Sequence, residues 1–183
     1  MKMMRLSLHR TSLAVLLGVL GAAPAFAANP ATISVTVTIQ NLSVSATGPI
    51  AFGTVVSGSE AVSGSASTVT NDGNVVETMS LSLTNPSSWT AVQAAPSVAE
   101  EYALLAQFNS SAPTAASFTY GNHALSTVSV AASGTKFAGN QSGLSMAVGG
   151  GGAKSLWFRF NAPTSTAVTT QQTISVTVTA SAG

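Results

Sequence analysis

From Thr32 onward the chain alternates: Ile33, Val35, Val37 and Ile39 fall on one phase, with Ser34, Thr36 and Thr38 between them. A two-residue period of β-branched residues marks a strand with one face buried. The same period recurs at Met79-Ser80-Leu81-Ser82-Leu83, over residues 102–108 with Leu104 and Ala106 in phase, and at Val128-Ser129-Val130. It recurs again at Leu156-Trp157-Phe158-Arg159-Phe160 and over residues 174–180. Turn-forming clusters punctuate these runs at Thr47-Gly48-Pro49, Ser57-Gly58-Ser59, Asn71-Asp72-Gly73-Asn74, Asn85-Pro86-Ser87 and Asn161-Ala162-Pro163. No segment carries a convincing amphipathic helix; residues 98–108 come nearest and fit a strand equally well. About eight to ten short strands predict an all-β, antiparallel two-sheet sandwich, because one sheet cannot bury so many apolar faces. Ile33, Val35, Val37, Leu81, Leu83, Leu104, Phe108, Phe158, Phe160, Val176 and Val178 hold the apolar phase and are the expected core.

Ahead of these strands, Lys2, Arg5 and Arg10 precede an apolar run over residues 13–23, and Ala25-Phe26-Ala27 places small residues around a cleavage point. That order is the pattern of a secretory signal peptide, and the run is shorter than the roughly 20 residues a membrane-spanning helix needs. The expected organisation is therefore a signal peptide over residues 1–27 and a single β-sandwich domain over residues 28–183, secreted or held at the cell surface, with no membrane span. Removing the leader turns the net charge from +1 to −2, with Lys136, Lys154 and Arg159 left against five acids. Three scattered cations make no basic stripe, so nucleic acid is not an expected partner. Serine and threonine supply 46 of the 156 residues from Ala28 on and take the outward strand positions that charge usually fills. Such a surface stays wettable while offering little of the repulsion that keeps strand edges apart.

Ile50-Ala51-Phe52-Gly53-Thr54-Val55, then Ser57-Gly58-Ser59, then Val69-Thr70-Asn71-Asp72-Gly73-Asn74-Val75, resembles a pattern of secreted immunoglobulin-like domains. That family includes modules named for spindle and cilia proteins and many bacterial surface modules. The resemblance covers residues 50–83 and implies an immunoglobulin-like sandwich in which an F-G-x-V strand precedes a small-residue turn and a second strand ends in a V-x-N-x-G-N hairpin. In size, export and all-β content the chain is also similar to bacterial fibre subunits of the biofilm matrix. Neither likeness implies a reaction.

The chain has no cysteine, and beyond the leader it has one histidine, His123, and one aspartate, Asp72. Thiolate chemistry is thereby excluded, and a Ser-His-Asp triad would need both single residues in one place. No catalytic or metal site and no cofactor are expected. Asn71-Asp72-Gly73-Asn74 offers three side-chain oxygens, but calcium takes six to eight and no acidic cluster follows, so a tight hairpin is the reading. Glu100 and Glu101 are adjacent, which on a strand sends them to opposite faces; they read as solubilising charges at a loop edge rather than a glycosidase pair. His123 reads as a surface or loop residue, and Trp89 as a cap on the core at a strand start. Residues 149–152, four glycines with no following lysine or helix, read as a flexible hairpin loop rather than a phosphate cradle. Asn41, Asn109 and Asn140 match the glycosylation sequon, a frequent chance match in a serine-rich chain. Trp157, with Tyr120 and Phe118, is the candidate set for stacking on a glycan.

Ile33-Ser34-Val35-Thr36-Val37-Thr38 recurs letter for letter as Ile174-Ser175-Val176-Thr177-Val178-Thr179. Two readings account for it. Both copies are ideal strands of one sheet, or the N-terminal one, freed by leader cleavage, occupies a groove in a neighbouring subunit by strand addition. The expected function is that of a non-enzymatic secreted structural protein, a self-associating matrix or filament subunit. Its partners would be itself or other surface proteins, its assembly strand would be Ile33, Val35, Val37 and Ile39, and the matching C-terminal strand Ile174, Val176 and Val178. The alternative is a carbohydrate-binding or adhesive module. Export makes the first testable statement: the secreted protein begins within a residue or two of Ala28, and an intact mass that retains Met1 would overturn it.

Overall fold

The structure is a computed structural model that describes residues 32–183. The leader expected over residues 1–27 lies outside the described residues. Residues 38–183 form one compact unit, and residues 32–37 are described separately from it.

Nine strands build the unit: β1 (Val44–Ala46), β2 (Glu60–Val62), β3 (Ser67–Asn71), β4 (Glu77–Thr84), β5 (Thr90–Ala91), β6 (Glu101–Phe108), β7 (Val130–Ala131), β8 (Ala153–Asn161) and β9 (Ser175–Ala182). A larger sheet runs in the order β1-β3-β8-β6-β5, with β2 also paired to β8, and a smaller one in the order β7-β4-β9. The result is the expected all-β, two-sheet, sandwich-like architecture. All pairings are antiparallel except β5 with β6.

The periodicity read along β4, β6 and β8 becomes the core directly. On β4, Glu77, Met79, Leu81 and Leu83 are buried while Thr78, Ser80 and Ser82 between them are partly open. On β8, Leu156, Phe158 and Phe160 face the same core. β6 supplies Tyr102, Leu104, Ala106 and Phe108 to that core and Ala103 and Leu105 to a second cluster on the other face. The connection after β6 covers that second face with Phe118, Tyr120 and Ala124. It carries a 3-10 turn (Ala115–Ser117) and a single helical turn, α1 (Tyr120–His123).

Five expectations are corrected. Residues 32–39 form no strand, and Ile33, Val35, Val37 and Ile39 are not core: they are 84, 81, 79 and 77% exposed. Alternation records a side-chain pattern, and it becomes burial only when a neighbouring strand is there to receive it. The F-G-x-V stretch, Ile50 to Val55, likewise forms no strand. Asn71-Asp72-Gly73-Asn74 is no hairpin, because β3 and β4 belong to different sheets and the segment crosses between them. The expected run Val128-Ser129-Val130 contributes only Val130 to a strand, the two-residue β7. Glycines 149–151 make a 3-10 turn leading into β8 rather than a hairpin loop.

Phe160 sits in an aromatic group with Phe52, Trp89 and Tyr102, at centroid distances of 5.6, 5.9 and 6.0 Å. Phe160→Ala should cost about 3–5 kcal/mol of stability through lost contacts and the cavity left behind. Chemical denaturation measures this, and a neutral result would refute the assigned strand phase.

Candidate functional site: an unpaired edge and an apolar cleft

β9 pairs with β4 along its whole length, from Ser175 opposite Thr84 to Ala182 opposite Glu77, and its other edge has no strand partner among the described residues. The burial pattern shows the consequence. Met79, Leu81 and Leu83 of β4 are closed off from solvent, whereas their neighbours Ala180, Val178 and Val176 on β9 remain half-buried. Among the described residues the smaller sheet ends at β9, and its core face is incompletely covered there. Beside β9 lies a cleft of about 1000 Å3. Leu104, Leu156, Phe158 and Phe160 of the larger sheet form its floor, with Ile174, Val176 and Val178 along one side and residues 46–55 along another. Ile50, Phe52 and Val55 pack on the core from that segment without closing the gap by pairing with β9.

Residues 39–43 are held by a polar node at the crossing between the sheets. Asn74 Nδ2 donates to the Ile39 carbonyl and Asn74 Oδ1 accepts from the Asn41 amide, each at 2.8 Å, so one side chain copies a strand partner. The Asn74 amide donates to the Asn41 carbonyl at 3.1 Å. The buried carboxylate of Glu77 accepts from the Ser43 amide at 2.8 Å through Oε1, while Oε2 has no partner. Asn71 donates to the carbonyls of Val75 and Met146 at 2.8 and 2.9 Å. Gly73 belongs to the same node: a Cβ there would collide with Glu77 Oε1 and the Asn41 carbonyl. These asparagines and the glycine read from sequence as turn chemistry, and only their long-range partners reveal the node.

The candidate glycan-stacking rings are not three free faces. Phe118 is 3% exposed. The Arg159 guanidinium stands 5.3 Å over the Tyr120 ring, donates to the Ala115 carbonyl at 2.8 Å and lies 3.6 Å from Glu60. Trp157 is half-buried, with Nε1 donating to the Asn109 carbonyl at 2.9 Å. Trp89 caps the core as its sequence position suggests, stacked on Phe160 with Nε1 donating to Thr166 Oγ1 at 3.2 Å.

Glu100 sits at a left-handed backbone position, φ 62°, and clamps the 165–168 loop: its carboxylate accepts from Thr166 Oγ1 at 2.6 Å and from the Ala167 amide at 2.7 Å. The Thr166 hydroxyl and the Ala167 amide hold that carboxyl below its ordinary value. Glu101 is separate from it, its carboxylate accepting from the Ser97 amide at 3.4 Å. Among the described residues no three His, Cys, Asp or Glu side chains gather as a metal site, and no helix is long and apolar enough to cross a membrane.

No protein-family model matches the chain, and no curated protein or solved structure matches it either.

His123 departs from the surface position expected of it. It is 4% exposed, Nδ1 accepts from the Thr119 amide at 2.8 Å, and Nε2 donates to the Ala138 carbonyl at 3.2 Å. This pairing requires a neutral ring, and burial pushes the pKa below the ordinary histidine value of 6.5. With the folded pKa depressed, the unfolded chain binds the extra proton first as pH falls. Stability is therefore full above about pH 6.5 and declines below it until the folded ring also titrates. Melting curves recorded between pH 7.5 and 5 should show that decline. His123→Gln should flatten it, and an unchanged pH slope in that variant would assign the effect elsewhere.

Proposed function

We propose that this is an exported, non-enzymatic structural protein that associates with further copies of itself by strand addition, with Ile33, Val35, Val37 and Ile39 as the donated face. The observation that carries the reading is the state of residues 32–39. Four β-branched residues in strict alternation stand exposed and belong to no strand ladder among the described residues, in a stretch free of charge, proline and glycine. Natural sheets guard long apolar edges with charge, proline or short length, and a segment lacking all three is suited to pairing with another chain. Main-chain hydrogen bonds then supply affinity, and the alternate side chains set register.

The non-enzymatic part is supported by the poverty of chemistry beyond the leader. Its single histidine is buried with both ring nitrogens engaged, and its single aspartate stands exposed on the crossing between the sheets. The glycan-binding alternative draws less support, since one of its rings is buried and another lies under Arg159.

Two substitutions test the donor face in the mature protein. Val35→Lys puts a charge on the apolar phase and Thr36→Lys puts one on the opposite phase. Because Val35 is exposed, both variants should keep the stability of the parent within about 0.5 kcal/mol. Assembly, followed by light scattering and electron microscopy over a concentration series, should be abolished by Val35→Lys and retained by Thr36→Lys. Equal behaviour of the two, or a parent that stays monomeric at every concentration, would overturn strand addition.

A further inference from the structure

The molecule offers several edges, and they are unequal. β5 and β7 are two residues long and β1 is three, so each presents few free backbone groups. β9 is eight residues long, contains no charge and no proline, and among the described residues is unpaired along one side. Short edge strands are protected by their length; β9 has none of the usual protections. It is also the edge beside the cleft, where the floor of Leu104, Phe158 and Phe160 and the half-buried Val176 and Val178 lack a covering strand.

We propose that this cleft is the acceptor for residues 32–40 of a second copy of the chain, which enter as a fourth strand of the smaller sheet, beside β9, with Ile33, Val35, Val37 and Ile39 facing the cleft floor. The assignment rests on the strand-addition reading above and names its receiving site. Length fits: nine extended residues span about 30 Å and the eight of β9 about 27 Å. Pattern fits as well. The incoming hexapeptide is identical to residues 174–179, whose apolar phase already faces this core. A strand of the same phase laid alongside continues the same apolar face and sets Ser34, Thr36 and Thr38 among the outward hydroxyls of Ser175, Thr177 and Thr179. The free amides and carbonyls of the β9 edge gain partners, and the half-buried valines are covered.

A second copy is the occupant because the root of the segment is held. Asn74 bonds Ile39 and Asn41 on either side of Gln40, and the Asn41 carbonyl and amide are both taken. Between Thr32 and Gln40 there is no glycine, proline, asparagine or aspartate, so the segment runs on from the held Asn41 without a strong turn signal of its own.

Since the protein has no cysteine, thiols can be placed at will. Mature full-length protein carrying Thr36→Cys is mixed under oxidising conditions with protein carrying Ser175→Cys, Thr177→Cys or Thr179→Cys. All four positions lie on the outward phase, where a thiol leaves the apolar contacts intact. Facing residues of paired strands lie within disulfide range. At least one β9 partner should give mixed dimer at about tenfold or more the yield obtained with Thr114→Cys, an exposed position in the connection after β6 that covers the opposite face of the larger sheet, because pairing raises the local thiol concentration. A β9 yield no higher than that of Thr114→Cys, in protein that still assembles and is still blocked by Val35→Lys, overturns the acceptor and leaves strand addition standing. Absence of assembly overturns both. A Thr36→Cys/Thr177→Cys double variant that closes on itself at high dilution, running as an oxidised monomer, overturns the assignment to a second copy.

Discussion

The antiparallel pairing of β6 with β8 is the constraint on which the rest of the structure depends. It runs from Ala103 opposite Asn161 to Phe108 opposite Leu156, and both strands carry apolar or aromatic side chains on both faces. A strand pair buried on two sides needs two covers. The smaller sheet supplies one through Met79, Leu81 and Leu83, and the long connection after β6 supplies the other through Phe118, Tyr120 and Ala124. The chain therefore spends its strands unequally: six build and flank the central pair, and only three remain for the opposing sheet. Three strands do not span the face of six, and the cleft beside β9 is where the shortfall appears.

That shortfall bears on stability and on the proposed strand addition. An apolar floor left partly open costs hydrophobic stabilisation in the isolated chain, and an unpaired eight-residue edge leaves backbone groups without protein partners. Both deficits are of the kind one further strand would remove. The chain holds a segment of matching length and phase, exposed and in no strand ladder among the described residues, over residues 32–40. The low charge of both segments belongs to the same account. Charged residues on either would guard the edges, and hydroxyls keep them wettable without doing so.

Residues 39–43 meet the sandwich at the polar node of Asn71, Asn74 and Glu77. Burying such groups is costly unless hydrogen bonds replace water, and nearly all of them here are directed at backbone: Ile39 and Asn41 from Asn74, Ser43 to Glu77, Val75 and Met146 from Asn71. Side chains standing in for a strand partner hold the chain extended as it reaches β1. Gly73 is required where Glu77 and the Asn41 carbonyl approach its Cα too closely for a side chain.

Alternation in the sequence was sufficient to locate β4, β6, β8 and β9, the core residues Leu81, Leu83, Leu104, Phe108, Phe158 and Phe160, and the two-sheet all-β class. These strands carry their burial pattern locally, as period-two choices of residue. The same pattern over residues 32–39 does not make a strand in the described chain, because alternation specifies a face without specifying a partner, and pairing is a non-local event. For the same reason Asn71-Asp72-Gly73-Asn74 looked like a hairpin and is a crossing: turn residues specify a change of direction, whereas the sheet that receives the next strand depends on where the apolar face of β4 is buried. His123 looked like a surface residue because its partners, Thr119 and Ala138, are backbone groups with no signature in side-chain sequence. The composition alone determined that the chain has no cysteine and, beyond residue 27, one histidine and one aspartate, and that its strands carry hydroxyls where charge would guard an edge. Which edge stays open was decided only by tertiary structure, since it depends on how many strands each sheet receives and on the covering that the central pair demands.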